Sequence, residues 1–340
     1  MRPMRLHGLD LARFLAFAGM VIVNFKIAMG VENDGGAASI FTSMFEGRAA
    51  ATFVLLAGIG LGLGYQRYGM QSLITLRRAM FLLVVGLLNS LIFDADILHY
   101  YGFYFLVGLC LLRLRDRSLF IVIAALNVCF VIMVLMLNYD QGWNWKTYSY
   151  RDFWTPVGFV RNLFFNGWHP IIPWASFLVL GIWVSRLRLA ERSIQIWLCL
   201  GGGGIMLVVE LVSKVSITVV GSGSVIAELF ATAPVPPTPL YVFAGGGAAM
   251  MVTGFSLLVG NTAIAKAVLP AGQQALTLYI AHILVGMGTL EALNMLGVQT
   301  AQAALNASLL FILAAAIYAF VWSKFFSRGP LEAVMRKIAG

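Results

Sequence analysis

Ten apolar stretches, each near or above the length needed to cross about 30 Å of hydrocarbon, occupy most of this 340-residue chain. They run at about 10–30, 49–66, 77–95, 97–114, 118–137, 170–186, 194–213, 240–259, 270–290 and 301–325, the fourth being the shortest. Backbone inside lipid must satisfy its own hydrogen bonds, so each stretch is expected to be a helix. The expected fold class is all-α: a polytopic membrane protein of about ten transmembrane helices, forming one integral-membrane domain over residues 1–340. Charged residues make up 11% of the chain and the mean hydropathy is +0.88. A soluble domain carries roughly 25% charged residues, so the solvent of this chain is the lipid bilayer.

The net charge of +9 suits nucleic acid only until the basic residues are placed. With both termini cytoplasmic, seventeen of the 23 Lys and Arg residues fall in inner segments and six in outer ones. That positive-inside bias alternates at every loop, and an odd number of spans breaks it. No nucleic-acid partner is expected. Arg2 and Arg5 ahead of an apolar run mimic a cleavable leader, but Asp10, Arg13 and Lys26 interrupt the pattern, and a retained first helix is expected. The long outer intervals are about 26–48, 138–169 and 221–239. The second, rich in Trp and Tyr, suits an interfacial anchor, or a lid over a polar acceptor. The third ends in APVPPTP and is expected to be a stiff, extended connector. Cys110, Cys129 and Cys199 lie in apolar runs without paired spacing and read as small apolar side chains.

Polar residues inside the spans mark candidate sites. On the first span, steps of three and four residues join Asp10, Arg13, Phe17, Met20 and Asn24 into one stripe. An Arg or Asp at the bilayer centre costs about 2.5–3.5 kcal/mol, so this stripe should face protein or water. Asp96 and His99 stand three apart in DADILHYYG. There the carboxylate either fixes the imidazole as a general base or merely caps the fourth span. His169 opens the sixth span beside Pro170, and His282 lies within the ninth, two turns beyond Gln274. A buried ionisable group such as His282 is a functional candidate by default. Glu210 and Lys214, four apart, are expected to neutralise each other. Gly58, Gly60, Gly62 and Gly64 follow no strand, so they read as small-xxx-small packing rather than a dinucleotide loop; Gly201–Gly204 and Gly245–Gly247 read likewise. No spacing suggests a metal site.

Several collinear stretches resemble one bacterial family: RLHGLDLARFLAFAGMVIVN, FEGRAAATFVLLAGIGLGLG, DADILHYYGFYFLVG, HPIIPWASFLVLGIWVSRL, GQQALTLYIAH and RGPLEAVMRK. Together they are similar to the YeiB-like membrane proteins and their relatives, the heparan-α-glucosaminide N-acetyltransferases, within the transmembrane acyltransferases. The resemblance implies a multi-pass protein of the bacterial cytoplasmic membrane. It would take an acyl group from cytoplasmic acyl-CoA, acetyl-CoA in the simplest case, and deliver it to a glycan or other small polar acceptor at the outer face. Arg5, Arg13, Arg77 and Arg78 then become candidates for the CoA phosphates, and His282, His99 and Asp96 for the proton chemistry. Asn24, Arg48, His169 and Gln274 become candidates for the acceptor or acyl group. One departure stands out. Related glycan O-acyltransferases carry Arg, ten residues and then His on the first helix, and here Asn24 follows Arg13 at that interval. An amide takes no proton at neutral pH, so a base must come from another helix. Otherwise the chain is a transporter, a flippase-like channel or a non-catalytic subunit of an envelope-biosynthesis complex. Assembly into a homo-oligomer stays open.

Overall fold

The computed structural model describes residues 6–32, 34–221 and 224–340. In chain order its helices are α1 His7–Ala28, α2 Ala37–Ser43, α3 Arg48–Tyr68, α4 Ser72–Asn89, α5 Leu98–Leu111 and α6 Asp116–Met136. After the strands β1 Trp143–Asn144 and β2 Ser149–Tyr150 come α7 Pro156–Arg161, α8 Ile171–Val184, α9 Arg192–Val220, α10 Val225–Leu229 and α11 Pro239–Val259. The chain closes with α12 Ala263–Gln273, α13 Ala275–Ala281, α14 Gly288–Ala292, α15 Ala301–Phe325 and α16 Pro330–Ala339. Among the described residues eight helical segments are long and apolar enough to cross a membrane, and a ninth forms if the pair Pro156–Asn166 and Ile171–Val184, bent by 51°, is one span. The fourth expected span appears as the short apolar helix α5. The chain is an all-α polytopic membrane protein.

Contacts group the chain into two compact units: Met1–Phe53, Leu189–Gly202 and Ala248–Lys337, and Val54–Arg188, Gly203–Gly247 and Ile338–Gly340. In the first unit α1 turns its polar stripe into protein, as the insertion cost requires. Asp10, Phe17, Met20 and Asn24 are all buried. Arg13 pairs with Asp10 at 2.7 Å, and Leu11 packs on Ala265 and Leu269 of α12. The rod α12–α13 breaks at Gln274, four residues after Pro270, and the break leaves the first amides of α13 without partners. Glu332 of α16 fills that gap: its carboxylate accepts from Leu276 N at 2.8 Å, Thr277 N at 3.2 Å and Thr277 Oγ1 at 2.6 Å. Charge-assisted bonds at a helix N-terminus are among the stronger ones. Glu332→Ala should therefore cost about 2–3 kcal/mol, read as a lower thermal midpoint of the detergent-solubilised protein, with Glu332→Gln intermediate.

In the second unit α3 and α8 touch backbone to backbone. A side chain at Gly58 would meet the Leu178 carbonyl, and one at Gly181 would meet the Leu55 carbonyl. Gly62 lies against Ser185, whereas Gly60 and Gly64 meet nothing within 4 Å. The close-packing expectation thus holds for one of the two glycine pairs. It fails at Gly204, which also meets nothing within 4 Å. Glu210 accepts from Thr232 Oγ1 at 2.9 Å. The Pro-rich interval is not extended. It holds α10 and turns at 234–237, where Thr238 bonds back to the carbonyls of Pro236 at 2.9 Å and Ala231 at 2.7 Å.

The interval 138–169 folds on itself. The two strands pair antiparallel with Trp143 opposite Tyr150, and Trp143, Tyr150 and Phe153 form a small apolar core. Asn166, fully buried, ties it together. Its amide donates to the carbonyls of Tyr139 and Gln141 at 2.7 and 2.8 Å and accepts from Tyr150 Oη at 2.6 Å. Burial pushes the Tyr150 hydroxyl above its usual range, against the lowering effect of its bond from Arg161.

Candidate active site

The second unit holds a buried carboxylate–imidazole pair at the turn between α4 and α5. Asp96 Oδ1 accepts from Asn89 Nδ2 at 2.7 Å. Its Oδ2 accepts from the His99 backbone N–H and from His99 Nδ1, both at 3.0 Å. Asp96 therefore caps α5 and orients the ring at once; the two readings of the DADILH stretch are one arrangement. Gly86 of α4 makes it possible, because any side chain there would strike the His99 backbone. With Nδ1 donating to a carboxylate, the neutral ring keeps its lone pair on Nε2. That atom is buried and has no hydrogen-bond partner among the described residues. The Tyr100 ring lies 3.9 Å from the imidazole centroid, and Phe153 and Phe159 of the folded interval 138–169 stand at 5.5 and 6.5 Å. The interval thus packs against His99.

His169 belongs to the same neighbourhood, with Tyr100 between it and His99. Its ring lies 5.8 Å from Tyr100 and 4.6 Å from Trp174. Its carbonyl accepts from Tyr104 Oη at 2.6 Å, and Nδ1 is buried without a partner among the described residues. It does not cap α8, whose N-cap is Pro170. Arg77, exposed, and Arg78, partly buried, lie on α4 of this unit.

In the first unit the structure joins two residues 258 positions apart. Asn24 Nδ2 stands 2.9 Å from His282 Nε2. His282 Nδ1 faces the Tyr279 carbonyl, which only accepts, so Nδ1 carries the hydrogen and Asn24 donates to Nε2. Both residues are buried. The ring opens a π-helical stretch, His282–Met287, that follows α13; such widened turns recur at functional positions. Asn24→Leu should leave the Nε2 lone pair buried and unpaired, at a cost of about 1–3 kcal/mol, measurable as a fall in thermal midpoint that His282→Leu in the same chain largely cancels. Gln274 donates to the Ala319 carbonyl at 2.9 Å and leaves Oε1 buried without a partner among the described residues. Arg48 donates to the Met44 carbonyl at 3.2 Å, and Arg5 lies outside the described residues.

Spacing alone missed Asn89, whose amide donates to Asp96 Oδ1, and Tyr100, which separates the two histidines. A polar residue seven positions before Asp96, at the end of a span, was the only available signal for the first.

Hydrogen bonds thus orient buried imidazoles in an all-α multi-pass membrane protein, and its sequence falls in a membrane acetyltransferase-like family. The chain belongs to the family described as heparan-alpha-glucosaminide N-acetyltransferase, catalytic, which matches residues 5–219. Residues 177–340 match a second family, a protein family of unknown function (DUF418), in keeping with a YeiB-like protein. No curated protein matches the chain. Asn24, Asp96, His99 and His169 lie within the first match, and His282 lies only in the second.

Proposed function

We propose that the chain moves an acyl group, acetyl in the simplest case, from acyl-CoA to a hydroxyl or amine of a polar acceptor such as a glycan. The observation that carries this reading is the bare Nε2 of His99, buried without a partner while Asp96 holds the opposite nitrogen. A buried acceptor left unpaired costs about 1–3 kcal/mol, and a proton arriving from a substrate is what would repay it. As the acceptor oxygen or nitrogen attacks the thioester carbonyl, its proton passes to Nε2, and Asp96 stabilises the imidazolium. Collapse of the tetrahedral adduct breaks the C–S bond, and the imidazolium returns the proton to the departing thiolate. An ester or amide and free CoA thiol result, with His99 neutral again. In the orientation set by the arginines, both termini are cytoplasmic and His99 and His169 lie toward the outer side. The donor then enters from the cytoplasm, with Arg77 and Arg78 as candidate phosphate contacts.

The Asn24–His282 bond favours a second placement of the same reaction. It brings an imidazole to the first-helix position where the resemblance expects a base, with Arg13 below it and Arg48 and Gln274 as acceptor contacts. There, however, Nε2 must give up Asn24 before it takes a proton, and His99 needs no such exchange. The test is purified protein in lipid nanodiscs with radiolabelled acetyl-CoA and a panel of amino sugars and neutral sugars. Free thiol and labelled acceptor are expected together. Absence of thiol release with every acceptor, alongside acceptor flux in proteoliposomes, would overturn transfer in favour of transport.

A further inference from the structure

At the arginine-rich end of the second unit, the C-terminal ends of α3, α5 and α8 leave a cleft of about 480 Å³. Tyr65 and Gln66 come from α3, Leu112–Arg115 from the loop after α5, and Ser185 and Arg186 from the end of α8. The loop wall is held in place. Arg186 Nη1 pairs with Asp116 at 2.5 Å, and its Nη2 donates to the carbonyls of Leu112 and Leu114 at 3.2 and 2.8 Å. Gln66 Nε2 donates to the Ser185 carbonyl at 2.9 Å and ties α3 to α8.

Charge and shape then define what fits. Arg186 is neutralised by Asp116, whereas Arg113 and Arg115 are exposed and have no ion-pair partner among the described residues. Two uncompensated guanidinium groups, rigid forks that match phosphate oxygens, therefore stand on the rim. Leu112, Ile182 and the Tyr65 ring give the lining an apolar component. The volume lies within the range of small-molecule sites, about 300–1,000 Å³. Cations at the mouth and an aromatic and aliphatic lining suit a phosphate group attached to an organic body.

We propose that this cleft binds a phosphate ester, with the phosphate on Arg113 and Arg115 and the organic body against Tyr65, Leu112 and Ile182. The chemistry is shared by a soluble nucleotide and by an anionic lipid headgroup, and it does not rest on His99 as a base. The test uses the full chain in nanodiscs of zwitterionic lipid. Binding of adenosine 3′,5′-bisphosphate is measured by titration, and retention of short-chain phosphatidic acid is measured separately. Saturable bisphosphate binding that weakens at least tenfold in Arg113→Gln/Arg115→Gln, but not in Arg192→Gln, supports the site with a nucleotide source. Lipid retention lost in the double variant, without bisphosphate binding, supports it with a lipid source. Both replaced side chains are exposed and unpaired, so the double variant should keep its thermal midpoint. Equal binding of both probes by wild type and the double variant would overturn the proposal and leave these arginines as an orientation signal.

Discussion

His99→Ala should lower acyl transfer by about 10²–10⁴-fold, the usual contribution of a positioned general base. The loss should fall on kcat, because the ring acts on the proton in flight rather than on the resting acceptor. Asp96→Asn should approach the same loss with less change in shape. An Asn at 96 that turns its NH₂ to Nδ1 forces the hydrogen onto Nε2, and the lone pair then points away from where a substrate can reach. Thiol release from acetyl-CoA by the purified variants measures both. A His99→Ala protein that keeps more than a tenth of the wild-type rate, beside an inactive His282→Ala, would move the reaction to the Asn24–His282 pair.

Gly58→Val should destabilise the second unit by about 3 kcal/mol or more, the largest structural effect expected of any single glycine on α3. The added atoms would press on the Leu178 carbonyl and on the Gly181 backbone, and neither is a flexible side chain that can swing aside. The helices would have to separate along the length where Leu61, Val179 and Ile182 pack. Gly60→Ala, two residues along the same helix, should do the reverse. Its position is exposed and meets nothing within 4 Å, so alanine should gain about 0.5–1 kcal/mol of helix preference. Thermal midpoints of the two variants in one detergent should therefore shift in opposite directions. Equal shifts would mean that α3 does not pack through Gly58.

The contrast shows how far sequence carried the fold. Apolar length placed the spans, and the insertion cost of Asp10 and Arg13 correctly turned the α1 stripe inward. The run GIGLGLG announced close packing but held two interleaved pairs, and only the tertiary contacts choose Gly58 and Gly62 over Gly60 and Gly64. In the same way Asp96 and His99 were legible because three residues on a helix end are neighbours. Asn24 and His282 were each visible as polar residues in apolar surroundings, yet nothing local links positions 258 apart. The interval 138–169 shows a third kind of limit. Its Trp and Tyr content described an affinity for the interface, whereas the bonds of Asn166 and the packing of Phe153 against His99 depend on the folded chain.

The brevity of α5 and α8 has a consequence for the distance across the protein. Each has 14 residues, so each is about 21 Å long, roughly 9 Å short of an average hydrocarbon layer. The two helices pack against each other, and each carries a histidine at or just before its start and arginines just after its end. α8 is buried along nearly its whole length, so surrounding protein rather than lipid meets its ends. The path from the histidine end to the arginine end of this pair is therefore shorter than the hydrocarbon layer is thick.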